Sequence, residues 1–468
     1  MSFVSKIFWL FSLWPLIIVF DKIRKKRDLT AFDVVLTFNS IYYAFSPLVS
    51  KAKDFSLTGY DSYVVTDENT VVTMAFYNVF TFLVALTSSL YDRSAFARGS
   101  NVVNLTVFLR NWYANFIVSN HKILLWWILL LVQLYYDFTI LSWRNMYYAT
   151  GVSVTQIRDA SGLMKFLPDI GESLRVVLSV YLSVYIIKKK KTIGLNLIDK
   201  VSIIVFLIRT FTLSRTFQIE MFLSCLLVAY SVSSKRLTLK HAAYGLCAVL
   251  FLYLLVFPCL YYYRSANAFY RMETGKNSFG LIKYDALQYA SKRNFKVENN
   301  SGSRKTFVYS ILSKSVDYKD KNYGELTKVV LNHALPSSLA FDKTTQNVLA
   351  EGVIQQKLSY NIDCADTMLL FANMDYGNVF GPFVAFGMLI ALLGIWNKYY
   401  KIVTAFVRND LVSLYFFYQI LTYCERTEIS ADSYIGMLYH AIYVIVGFFV
   451  ISKVFNYTYN CLCTKSRL

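Results

Sequence analysis

Residues 123–142 read ILLWWILLLVQLYYDFTILS, and residues 242–263 read AAYGLCAVLFLYLLVFPCLYYY. Each run approaches the roughly 20 residues with which a helix crosses about 30 Å of hydrocarbon, and Asp137 is the one charge in the two together. Backbone groups in lipid have no water to bond, so a run of this kind spans as a helix that closes its own hydrogen bonds. Neither run shows the alternating apolar and polar pattern of a membrane barrel strand, about 10 residues long. The fold class expected is therefore all-α integral membrane. Composition agrees: 56% of the 468 residues are hydrophobic and 16% charged, against about 25% charged in a soluble domain. The mean hydropathy is +0.41, more apolar surface than a water-soluble core could hide.

Marking every apolar run gives about eleven spans, near 3–20, 31–49, 71–90, 123–142, 173–187, 198–213, 217–232, 242–262, 379–396, 409–424 and 434–452. With Lys/Arg-rich connections assigned to the cytoplasm, they alternate without conflict. The inner connections carry Lys22 to Arg27, then Arg93, Arg98 and Arg110, then Lys188 to Lys191, then Lys235, Arg236 and Lys240, then Lys398, Lys401 and Arg408. Lys453, Lys465 and Arg467 follow the last span, which puts the C-terminus inside and the N-terminus outside. The net charge of +19 is read as this topology signal and not as a nucleic-acid footprint. The run Phe3–Phe20 precedes its basic residues and lacks a small-residue cleavage site, so it is expected as a retained helix and not a signal peptide. Arg209 and Arg215 strain the assignment of their spans, because a charge at mid-membrane costs several kcal/mol unless it faces protein or water.

Three regions follow: helices over 1–262, an outer segment over 263–378, and helices over 379–468 with a short inner tail. Few connections exceed about 15 residues, so an outer segment this long is expected to fold. Phe307, Val308, Ile311 and Leu312 recur at helical spacing, as do Leu281, Ile282, Tyr284, Leu287 and Tyr289. A further helix is expected to begin near Gly324 and to stop at Pro336. The seven cysteines contain no C-x-x-C pair, so no zinc or redox site is expected, nor a disulfide at Cys364 in the outer segment.

Charged residues gather on the outer face of this topology: Arg215 in SRTFQIE, Arg264 in YYYRSANAFYR, Asp363 and Asp366 in NIDCADTMLLF, and Glu425, Arg426 and Glu428 in CERTEIS. A guanidinium at the water–lipid boundary keeps its charge and offers a bidentate fork that matches phosphate. Two or three on separate helices suit a diphosphate-linked lipid. Equally, each can pair with a carboxylate to satisfy a buried charge. No P-loop or dinucleotide motif occurs, and no cofactor is expected. His121, His241, His333 and His440 have no metal-ligand spacing; His333, in the outer segment, is a candidate base or a surface residue. Tyr261, Tyr262, Tyr263, Phe269 and Tyr270 beside Arg264 can stack on sugars or form an interfacial belt.

The arrangement resembles the bacterial oligosaccharide repeat-unit polymerases, the Wzy-type O-antigen and capsule polymerases. The likeness covers most of the chain as topology and short stretches as motif: DKIRKKRD followed by SPLVS, FTLSRTF, YYYRS, and DCADTMLLFANMDYGNVFGPFVAFG. Thr216 stands where a Gly often follows the Ser-Arg, and Asn378-Val-Phe-Gly where Asn-Phe-Gly is usual. The resemblance implies a GT-C-like, metal-independent glycosyltransferase in the bacterial inner membrane, acting at the periplasmic face on polyprenyl-diphosphate-linked glycans, with a chain-length regulator as a candidate partner. Such a reaction needs positive charge on the departing diphosphate and a base on the acceptor hydroxyl. Arg215, Arg264 and Arg426 fit the first role; Asp366, Glu425 and His333 compete for the second. An O-antigen ligase would share these features and differ in its acceptor. A flippase or exporter of the same lipid-linked sugar would be expected to show related halves and no long folded outer loop.

Overall fold

A computed structural model describes residues 7, 10–45, 66–93, 101–136, 167–212, 215–233, 257–276, 284–293, 303–318, 321–334, 353–354, 358, 367–426 and 431–465. Among them every regular element is a helix. In chain order these are α1 (Trp14–Arg24), α2 (Ala31–Asn39, wound on as a π-helix over Ser40–Phe45), α3 (Asp67–Arg93), α4 (Leu105–Asn115), α5 (Asn120–Tyr136) and α6 (Leu167–Thr192). Then come α7 (Leu197–Thr212), α8 (Arg215–Val232), α9 (Phe257–Thr274), α10 (Tyr284–Lys292), α11 (Ser303–Asp317), α12 (Glu325–Ala334), α13 (Met368–Phe406), α14 (Asp410–Glu425) and α15 (Ala431–Lys465).

Four helices are long and apolar enough to cross a membrane, over Asp67–Tyr91, Ile170–Thr192, Met368–Phe406 and Gly436–Tyr459. They fall on four of the eleven expected spans. Two shorter apolar helices, Asn120–Leu134 and Gln218–Val232, fall on two more. The count of eleven is not reproduced by length and apolarity, and α14 shows why. Its 16 residues rise only about 24 Å, and nearly all of them are buried, as expected of a helix that is apolar all round. It packs on α2, α6, α13 and α15 at the centre of the bundle. The expected span 242–262 lies mostly outside the described residues, and its last part joins a helix that runs on through Arg264 to Thr274, so the predicted span end is not a helix end.

Exposed apolar stripes mark the membrane face. Val71, Val79, Phe82, Leu86 and Leu90 line one side of α3, and Ile442, Val446, Val450 and Val454 one side of α15. Spaced by turns of a helix, such rows would be exposed hydrophobic patches in water and are natural in lipid.

The two ends of the bundle are held by different polar groups. At one end, Lys22 is buried and sits 3.0 Å from Asp33, whose other contacts are Ser88 and the capping box with Thr30 that starts α2. At the same end Lys189 pairs with Asp199 at 2.8 Å, and Asp199 caps α7 reciprocally with Asn196. Lys188 donates to the last carbonyls of α4, at Tyr113 and Ala114. The run Lys188–Lys191, read above as a topology signal alone, therefore also does structural work, because a cation at a helix C-terminus satisfies carbonyls that have no helical partner.

At the other end sit helices of the outer segment. The helices expected around Ile311, Leu287 and after Gly324 are found as α11, α10 and α12; Pro336, expected to stop the last, lies outside the described residues. α11 packs on α3 and α13, and α12 on α13 and α15. Asn69 at the start of α3 donates to Asp317 at the end of α11 (2.8 Å), and Tyr43 donates to Thr367, the N-cap of α13 (2.6 Å).

Candidate functional site

The end of the bundle at which α13 begins and α14 stops buries a cluster of charges drawn from three helices. Glu172 and Arg175 lie one turn apart on α6, Glu220 on α8, and Glu425 and Arg426 at the end of α14. The Arg426 Nε donates to Glu220 Oε1 at 2.7 Å, and its Nη2 donates to the same oxygen. Arg426 Nη1 is 3.9 Å from Glu172 Oε2. The Glu220 side chain is completely buried, while Arg426 and Glu172 keep 18% and 17% exposure. Arg175 is completely buried and Glu425 almost so. Among the described residues, Glu220 Oε2 and Glu425 Oε2 have no hydrogen-bond partner. Three carboxylates and two guanidiniums thus share a site formed by α6, α8 and the end of α14. Ions so placed are expensive unless paired, and in a membrane they mark function more often than packing.

A small cavity of about 30 Å³ opens beside Arg426 and is bounded by Asn39, Thr367, Tyr423 and Cys424. It has room for about one water and none for a sugar ring. Among the described residues Arg426 is thus bonded to protein carboxylates.

Of the residues expected to act, Glu425 and Arg426, adjacent in sequence, are the two whose side chains are described, and both lie in this cluster. Arg215 opens α8, five residues before Glu220; Arg264 lies within α9; His333 is the second-last residue of α12. The side chains of these three lie outside what is described, as does Asp366 altogether. Asp366 directly precedes Thr367, which shares the small cavity with Arg426. Arg175, Glu172 and Glu220 were missed by the sequence reading. The signal was present, since GESLRVV and QIEMF carry charges inside otherwise apolar helices.

A second polar knot joins the outer segment to the bundle through the DYGN stretch at the start of α13. Asp375 is buried and accepts from the backbone N–H groups of Gly324 (2.8 Å), Leu326 (3.1 Å) and Thr327 (3.0 Å) as well as from the Thr327 hydroxyl. It therefore caps α12 from outside. The chain breaks helical geometry at Gly377, with φ 75° and ψ −175°, a region that side chains with a Cβ avoid. At Gly381 an added Cβ would lie 2.7 Å from the Phe76 ring, so α13 and α3 meet closely there. Asp375, the last acid before the Gly-rich helix, is thus a structural cap in this chain, while Asp363 and Asp366 lie outside the described residues.

In this knot Lys321 donates to the Ser315 carbonyl (2.6 Å) and to Asn373 Oδ1 (3.0 Å). Burial pushes its ammonium down from the ordinary 10.5 to about 8, because a low-dielectric surrounding disfavours the charged form. Between those values the unfolded chain holds a proton that the folded chain has lost, so this group adds stability as pH rises through that window. Competitive acetylation, read by mass spectrometry over a pH series, should give Lys321 a midpoint near 8 in the folded protein and a higher one after denaturation. An ordinary lysine midpoint in the folded protein would show that the amine is well solvated.

Among the described residues no three His, Cys, Asp or Glu side chains are grouped to hold a metal ion. No family model, curated protein or solved structure matches the chain.

Proposed function

We propose that this protein polymerises polyprenyl-diphosphate-linked oligosaccharide repeat units at the periplasmic face of the bacterial inner membrane. The observation that carries the reading is the buried Arg175, Arg426, Glu172, Glu220 and Glu425 cluster at the end of the bundle where the folded outer segment sits. In this reading the chain crosses the membrane about eleven times, with its N-terminus periplasmic and its C-terminus cytoplasmic. The acceptor hydroxyl attacks the anomeric carbon of the growing glycan. A new C–O bond forms as the bond to the lipid diphosphate breaks, and the hydroxyl proton passes to a carboxylate or imidazole. Glu425, Asp366 and His333 are the candidate bases. Arg215 and Arg264, with Arg426 once it exchanges a protein carboxylate for substrate, stabilise the departing diphosphate. A ligase would run the same steps with a lipid A core as acceptor, and product analysis separates the two.

The test is complementation of a polymerase-null strain, reading glycan chain length beside membrane abundance. Arg215→Ala and Arg264→Ala should each remove roughly 2–4 kcal/mol of transition-state stabilisation, the size of one oxyanion donor. Lys should rescue only in part, since a point charge lacks the bidentate fork. Normal-length polymer from well-expressed Ala variants would eliminate the role, and loss of the proteins from the membrane would show these arginines to be structural.

A further inference from the structure

The opposite end of the bundle carries a second charged site that the proposed reaction does not use. A cavity of about 520 Å³ lies between the start of α5, the turn from α13 to α14, and α15, within the range of small-molecule sites. Its polar lining includes His121, Lys122, Arg408, Asp410, Lys453 and Asn456. Asp410 is already neutralised, because Lys122 Nζ holds its Oδ2 at 2.7 Å. Arg408 and Lys453 then remain as surplus positive charge, and among the described residues neither has an ion-pair partner. Lys453 lies 5.5 Å over the Phe449 ring. The His121 ring is fixed as a wall by stacking on Phe455 at 4.6 Å. Both α5 and α14 begin at this cavity, adding the partial positive charge of two helix N-termini.

Much of the remaining lining is apolar, from Leu125, Phe406, Val407, Leu411 and Phe449. Phe406, at the end of α13, is 85% exposed, and Phe449, Val450 and Val454 continue an exposed stripe along α15. Both helices are long and apolar enough to cross a membrane. A soluble anion has no use for such walls, whereas acyl chains would cover them while a phosphate meets the arginine and lysine.

We propose that this cavity binds the phosphate headgroup of an anionic glycerophospholipid, with its acyl chains lying against α13 and α15. Arg408 supplies the bidentate fork and Lys453 a second, mobile charge.

Native mass spectrometry of the detergent-purified full chain, titrated with phosphatidylglycerol or with phosphatidylcholine, tests this. Phosphatidylglycerol should bind more tightly, and Arg408→Gln with Lys453→Gln should weaken it about thirtyfold, from about fivefold per basic residue at a membrane surface. Both side chains are exposed, so the fold should tolerate the change, and membrane abundance reports that directly. Lys398→Gln removes an exposed charge from α13 outside the cavity and should leave binding unchanged. Equal binding of the two lipids, or equal weakening by Lys398→Gln, would overturn the site. Displacement of phosphatidylglycerol by millimolar inorganic phosphate would overturn the lipid assignment and leave a soluble-phosphate site.

Discussion

Arg426→Ala is expected to cost about 3–5 kcal/mol of stability, the usual price of removing one partner from a buried ion pair. Glu220 is fully buried and receives two guanidinium hydrogen bonds on Oε1, while its Oε2 has no partner among the described residues. Without Arg426 that carboxylate faces the buried Glu425 with its main counter-charge gone. The variant should lose membrane abundance and melt earlier in detergent. Glu220→Leu with Arg426→Met removes both charges and keeps apolar volume, and should recover most of the loss. Arg426→Lys keeps the charge and loses the fork; it should fold, and if Arg426 also meets the diphosphate it should still shorten the polymer. A fully stable Arg426→Ala would show that the guanidinium does not hold the cluster together and would leave it free for substrate.

How much of this was legible in the sequence depends on the scale of the signal. Long apolar runs such as those around Ile170–Thr192 and Met368–Phe406 announce themselves, because about 20 apolar residues in a row have few homes other than lipid. The helices of the outer segment were also readable: Ile311 and Leu312 sit on a buried face of α11, and Gly324 immediately precedes α12. The number of spans was not, since α14 is short and central, and hydropathy treats a helix packed in protein like one facing lipid. The charged cluster was half legible. Glu425 and Arg426 stand out at the end of an apolar run, whereas Arg175 is one charge within a strong span and its partners lie on helices far away in sequence. Lys22 and Lys189 show the converse. Counted as loop charges, they are buried and committed to Asp33 and Asp199, because a basic residue at the membrane edge can signal topology and tie helix ends together.

The DYGN stretch separates resemblance from mechanism, and Asp375→Ala should display the difference. Asp375 holds three backbone N–H groups and one hydroxyl around the first turn of α12. Removing a helix cap costs about 0.5–2 kcal/mol, and losing hydrogen bonds to a buried charge adds about 1.5–3 kcal/mol, so a total of roughly 2–5 kcal/mol is expected locally. The bundle has its own core, formed by residues such as Trp126, Tyr181, Trp396 and Phe416 and reached by α11 through Val308, Tyr309 and Leu312, whereas α12 packs in a smaller cluster around Ile311, Leu326, Val330 and Met374. The loss should therefore open α12 locally and leave the spanning helices folded. Hydrogen exchange should quicken over Glu325–Ala334 while α14 stays protected. Asp375→Asn should fall between, since its amide oxygen can still accept from Gly324 and Leu326 whereas its NH₂ opposes the Thr327 N–H. If Asp375 acted instead on substrate, Asp375→Ala would abolish polymer formation with exchange unchanged at α12, and that pattern would refute the structural assignment.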